Sequence, residues 1–171
     1  LQQADVVMYD RLVSPALLDL ARRDADLIPV GKSPSAPSIS QDEINTLLVR
    51  LVEQGNRVCR LKGGDPFVFS RGGEEAAALA AAGMPYQVVP GITAAIGCAA
   101  YAGIPLTFRG LSKAVVLVTA ESATGASEPD WASLAAGEQT LAVYMGVGRL
   151  DDVSRQLIAT GRQPDCPAAL I

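Results

Sequence analysis

The chain has 171 residues, room for one large domain or two small ones with a real core. Apolar residues make up 49% and charged residues 19%, which excludes a disordered chain, and a net charge of −4 without a basic run excludes a nucleic-acid footprint. Histidine is absent, so Ser-His-Asp hydrolysis, Cys-His catalysis and His-ligated metal chemistry are excluded as well.

Asp5-Val6-Val7-Met8-Tyr9 is a short β-prone run and reads as a buried parallel strand. Ser14-Pro15 predicts a helix start, with Leu17, Leu18 and Ala21 as its apolar face. Leu27-Ile28-Pro29-Val30 predicts a second strand ending at Gly31-Lys32. Residues 33–40, SPSAPSIS, read as an extended loop. Ser40 and Glu43 then form a capping-box signature, and Ile44, Leu47, Leu48, Leu51 and Val52 follow the spacing of one helical face up to Gly55. Residues 57–61 predict a strand, 73–82 a helix stopped by Gly83, Tyr86-Gln87-Val88-Val89 a strand, and 92–102 a small-residue helix. Strands follow at 114–119 and 140–145. Asp130 caps a short helix between them, and Leu150, Val153, Leu157 and Ile158 line a last helix stopped by Gly161.

Strand and helix alternate, which predicts α/β architecture with mostly parallel sheets flanked by helices. Residues 1–113 hold 11 basic and 11 acidic side chains, whereas 114–171 hold 3 and 7. With the irregular stretch 103–113, this shift predicts an N-terminal α/β domain over 1–111 and a C-terminal one over 112–171. Cys59, Cys98 and Cys166 are scattered, as expected of reduced, buried thiols in a cytoplasm, with Cys98 in a core. No apolar run approaches the ~20 residues of a membrane span, and no secretory leader pattern opens the chain. The chain starts at Leu1 without a Met, and the closing Ala168-Ala169-Leu170-Ile171 reads as an unfinished strand, as expected of part of a longer protein.

In an open parallel sheet, ligands gather beyond the carboxyl ends of the strands. Four loops leave such ends here: Asp10-Arg11, Gly31-Lys32, Gly63-Gly64-Asp65-Pro66 and Pro90-Gly91-Ile92-Thr93-Ala94. Gly63-Gly64 lets backbone approach a ligand, with the Asp65 carboxylate beside it. On spacing alone the same residues also read as a tight turn, and Asp10 and Lys32 as ordinary loop charges. The spacing is not that of a phosphate loop.

Several blocks together resemble one family. YDRLVS at 9–14, VGK at 30–32, QDEIN at 41–45, RLKGGDPFVFSRGGEE at 60–75 and VPGITAAIGCAAYAGIPLT at 89–107 are similar to the uroporphyrinogen-III C-methyltransferases. DW at 130–131, QTLAVYMG at 139–146 and the closing PAALI extend the likeness over nearly the whole chain. The same module occurs alone or as the methyltransferase half of siroheme synthases.

The resemblance implies the two-domain tetrapyrrole methylase fold, with an active site in the trough between the domains, and a homodimer. It implies S-adenosylmethionine as methyl donor, S-adenosylhomocysteine as its product, and no metal. The implied reaction methylates uroporphyrinogen III at C2 and C7 to give precorrin-2 for siroheme and cobalamin, in the cytoplasm, with no nucleic-acid or membrane partner. Carried over by motif, Gly63, Gly64, Asp65, Val68, Thr93, Ala94 and Met145 would touch S-adenosylmethionine. Asp10 matches the family's proton acceptor and Lys32 its proton donor. Arg11, Arg71, Arg109 and Lys113, with Lys32, are candidate partners for the substrate carboxylates. The family's first strand and GxGPGD loop would precede Leu1. Its usual histidines are replaced within 33–40, at Phe108-Arg109 and at Ala120-Glu121. Two alternatives stay open: a methyltransferase acting on a later precorrin, and a paralogue that binds cofactor or tetrapyrrole without turnover.

Overall fold

A central strand of three apolar residues and a tyrosine organises the first half of the computed structural model, which describes residues 1–31, 39–121 and 128–171. These residues divide into two units, Leu1–Thr93 and Ala94–Ile171, each described by itself. The 111/112 boundary expected from the charge shift falls inside the second unit.

In the first unit, β1 (Val6–Tyr9) lies between β2 (Asp26–Pro29) and β3 (Val58–Leu61) in an all-parallel sheet of order β2-β1-β3. The central position explains the run of apolar side chains: Val6, Val7 and Met8 are all buried. Pro29 is tolerated because β2 is an edge strand. α1 (Pro15–Leu18) is one turn long. Ser14 precedes it without a side-chain capping bond, and none of its residues is buried. The apolar face expected of Leu17, Leu18 and Ala21 therefore does not form, because four residues are too few for a helical stripe.

α2 (Gln41–Glu53) is the helix its sequence announces. The Ser40 hydroxyl accepts from the Glu43 amide at 3.2 Å, and the Glu43 carboxylate accepts from the Ser40 amide at 2.7 Å. Ile44 and Leu48 enter a core with Val6, Met8, Val30 and Leu79, and Leu47, Leu51 and Val52 pack at its margin. α3 (Gly72–Ala81) contributes Leu79. Residues 86–89 form no strand, and Tyr86 and Val89 are exposed. Their β-prone side chains find no neighbouring strand to pair with among the described residues.

In the second unit, α4 (Ala94–Ala102) precedes β4 (Val115–Thr119), α5 (Trp131–Ala135), β5 (Thr140–Tyr144), a 3-10 turn (Val147–Arg149) and α6 (Leu150–Ala159). β4 and β5 pair in parallel. Ala120, Trp131 and Val153 form the core, with Leu134, Val143 and Leu157 around it. Asp130 caps α5 by accepting from the Ser133 amide at 3.2 Å. The closing residues form no strand among the described residues, and Leu170 and Ile171 are exposed. The cysteines depart from expectation. All three are free thiols, but Cys59 and Cys98 are only half-buried and Cys166 is exposed.

Candidate active site

The three strands of the first unit are parallel, so the loops after β1, β2 and β3 leave the same edge of the sheet. Those loops carry Asp10-Arg11, Gly31 and Lys62-Gly63-Gly64-Asp65. Gly31 is required where it stands, since a Cβ there would overlap the backbone of Arg11.

Asp10 is one residue past β1 and Lys62 one residue past β3. The register pairs Tyr9 with Leu61, so the two side chains start at the same level of the sheet. Arg60 Nη2 donates to Asp10 Oδ1, and Lys62 Nζ lies 3.4 Å from Asp10 Oδ2. Behind them stands Glu75, from the first turn of α3, with only 4% of its surface exposed. Its Oε1 accepts from Arg60 Nε at 3.0 Å, Lys62 Nζ at 3.2 Å and Gln41 Nε2 at 3.3 Å. Two carboxylates and two cations thus form a neutral cluster, which is the condition for keeping charge out of water.

The glycine loop is tied to the 90–93 segment by Asp65. Its Oδ1 accepts from the Phe67 amide at 2.8 Å and its Oδ2 from the Gly91 amide at 3.0 Å. The Gly91 and Phe67 amides hold this carboxyl below the usual aspartate range. A Cβ on Gly91 would overlap the carbonyl oxygen of Gly64, so the two loops touch backbone to backbone. The Ser70 hydroxyl also faces the carbonyl oxygens of Asp65 (2.8 Å) and Pro66. Phe69 and Arg71 take left-handed backbone conformations on either side of it. Gly63 and Gly64 remain exposed, Val68 is half-buried and Thr93 is buried. An exposed, side-chain-free backbone held at fixed spacing fits the adenosyl-methionine donor implied by the resemblance.

Other expected site residues are distributed as follows. Lys32 lies outside the described residues, as does most of the 33–40 loop. Arg11 is exposed at the sheet edge. Arg71 pairs with Glu74, its Nη2 2.7 Å from the carboxylate, and both side chains are half-exposed. Arg109 and Lys113 are exposed in the second unit, and among the described residues Arg11, Arg109 and Lys113 make no ion pair. Ala94 opens α4 and Met145 follows β5 with a left-handed backbone and a half-exposed side chain. The Tyr144 hydroxyl accepts from the Ala95 amide at 2.9 Å, so the start of α4 and the end of β5 meet within the second unit.

Sequence reasoning missed Arg60, Lys62, Glu75 and Tyr144. Arg60 and Lys62 carried a usable signal, because two cations at i and i+2 of a strand share one face. Glu75 did not, since an acid in a helix's first turn reads as a dipole partner.

The profile of the tetrapyrrole (corrin/porphyrin) methylases matches residues 1–171. The chain belongs to this family. It is 58% identical over all 171 residues to a siroheme synthase of Stutzerimonas stutzeri, of which it spans 37%. A solved uroporphyrin-III C-methyl transferase from Thermus thermophilus, complexed with S-adenyl homocysteine, superposes with a TM-score of 0.77 at 40% identity, over 96% of this chain and 68% of that one. A cobalt precorrin-4 methyltransferase superposes with a TM-score of 0.80 at 28% identity, over 95% of this chain and 66% of that one. The chain therefore spans little more than a third of the siroheme synthase it matches and about two thirds of the solved methylases. Its parallel sheets flanked by helices are those of this family.

Proposed function

We propose that this methylase chain transfers methyl groups from S-adenosylmethionine to C2 and C7 of uroporphyrinogen III, giving precorrin-2 for siroheme and cobalamin. The observation that carries the reading is the sheet edge of the first unit. There, a carboxylate held by two cations stands beside a glycine loop braced to a second loop. The 58% identity to a siroheme synthase supports the substrate.

S-adenosylmethionine supplies a methyl group already activated by its sulfonium, and leaves as S-adenosylhomocysteine. The residues that the family resemblance assigns to it are Gly63, Gly64, Val68, Thr93, Ala94 and Met145. Asp65 acts by bracing the glycine loop. The remaining work is alignment and removal of competing water. Asp10 stabilises the positive charge that develops on the pyrrole as its carbon is methylated, and accepts the proton then lost. Lys32 is the proposed donor. Arg11, Arg71, Arg109 and Lys113 are the candidates for pairing with substrate carboxylates. Three free thiols favour a reducing cytoplasm. The exposed Ile96, Tyr101, Phe108 and Leu111 of the second unit favour a homodimer.

The intact protein, supplied with uroporphyrinogen III and S-adenosylmethionine, is expected to yield the dimethylated product by mass spectrometry. A folded protein that gives no methylated tetrapyrrole overturns the reading. The likeness to a cobalt precorrin-4 methyltransferase favours a second reading, a later corrinoid substrate. Competition between uroporphyrinogen III and later precorrins separates the two.

A further inference from the structure

We propose that Glu75 is a positioning residue for Asp10. It anchors Arg60 and Lys62 so that each cation presents one donor to one oxygen of the Asp10 carboxylate, fixing the direction in which that carboxylate faces. The proposal rests on the reading of Asp10 as proton acceptor.

The Glu75 charge balances the buried Arg60 and Lys62, and the same contacts also direct them. Glu75 is buried to 4% exposure on the face of α3 that also carries the core residue Leu79, one turn later. An apolar side chain there would leave two buried cations facing the single carboxylate of Asp10. The neighbouring Glu74 already pairs with Arg71 at the helix start. The Glu75 side chain instead meets the two cations of β3 and its following residue.

The geometry says what this does. A guanidinium is a rigid planar fork, so fixing Nε on Glu75 Oε1 at 3.0 Å also fixes where Nη2 points, and it points at Asp10 Oδ1. Arg60 Nη1 is held in turn by the carbonyl oxygen of Leu61 at 3.1 Å. Lys62 has no fork and is directed only by what surrounds its Nζ. Glu75 at 3.2 Å sets it there, 3.4 Å from Asp10 Oδ2. Gln41, from the first turn of α2, donates to the same Glu75 oxygen at 3.3 Å. Without the Glu75 charge, both cations are free to close on Asp10 and turn its oxygens away from substrate.

The test uses the intact protein. Glu75→Gln is expected to lower kcat by about tenfold or more, with KM for the tetrapyrrole and the Kd of S-adenosylmethionine changed much less. The deciding arm is the Asp10→Asn background, where Glu75→Gln should add less than about a twofold further loss. A role in folding alone would multiply through both backgrounds, so multiplied losses overturn the proposal. Wild-type kcat in Glu75→Gln, alongside a slow Asp10→Asn, overturns it and leaves the Asp10 reading standing. Wild-type kcat in Asp10→Asn overturns the Asp10 reading and the proposal with it. Should Glu75→Gln fail to fold, Glu75→Asp carries the same test. It keeps the charge but shortens the reach, so kcat falls and the Asp10→Asn background again absorbs the loss. Wild-type kcat in Glu75→Asp overturns the proposal.

Discussion

Both oxygens of Asp65 are occupied by backbone amides of its own unit, Phe67 on one and Gly91 on the other. Its effect on a bound cofactor therefore passes through the spacing of two loops. Asp65→Asn keeps the shape but sets an NH2 group against one of those amides. It is expected to weaken S-adenosylmethionine about tenfold in calorimetry. The pH dependence has a definite sign. The Gly91 and Phe67 amides hold the Asp65 pKa below the usual 3.8, so the brace is fully present above that value. It is lost only as pH falls through the lowered pKa. Cofactor affinity should thus be insensitive to Asp65 protonation from neutral down to mild acid. At this scale the glycines were legible, because an exposed Gly-Gly before an aspartate has few uses. The Arg60–Lys62–Glu75 cluster was not. Its members meet one another across 13 and 15 residues, Gln41 across 34 and Asp10 across 50, and nothing local marks such a meeting.

Among the elements, α2 shows what local signals can do. Its cap, its apolar stripe and its Gly55 stop are all written within 16 residues of chain, and all appear in the helix. Ser40→Ala removes the hydroxyl that receives the Glu43 amide. It is expected to cost about 1 kcal/mol of stability, read as a lower Tm by circular dichroism. The Ser40 amide and then its hydroxyl lower the Glu43 pKa, so this carboxylate's contribution is present above the usual 4.5 and is lost as pH falls through the lowered value, and Ser40→Ala lacks the hydroxyl's share of it. The gap between wild type and Ser40→Ala should accordingly narrow in acid. Residues 86–89 show the opposite case. Their composition suits a strand, but a strand exists only through a neighbour, and β propensity carries no information about who that neighbour is. α1 fails for a related reason. Ser14-Pro15 announces a helix start correctly, yet a start signal does not set a length.

For the whole molecule, the alternation of elements was enough to read the parallel sheets, because right-handed crossovers leave few other arrangements. The division was harder. Composition changes near residue 113, whereas α4 falls into the second unit, tied to β5 through the Ala95 amide and Tyr144. Each unit has its own core, and among the described residues none belongs to both. Leu48→Ala empties part of the first core and is expected to destabilise it by about 2–5 kcal/mol, measured as a shift of the urea midpoint in far-UV circular dichroism. The family membership was legible because its blocks lie in loops, where residue identity answers to chemistry more than to packing.

Trp131 is the chain's one tryptophan, and it is buried in the second core. Indole emission is consequently a private optical signal. It registers water reaching the second core, so the opening of that core can be followed by light in a chain whose first core holds no indole.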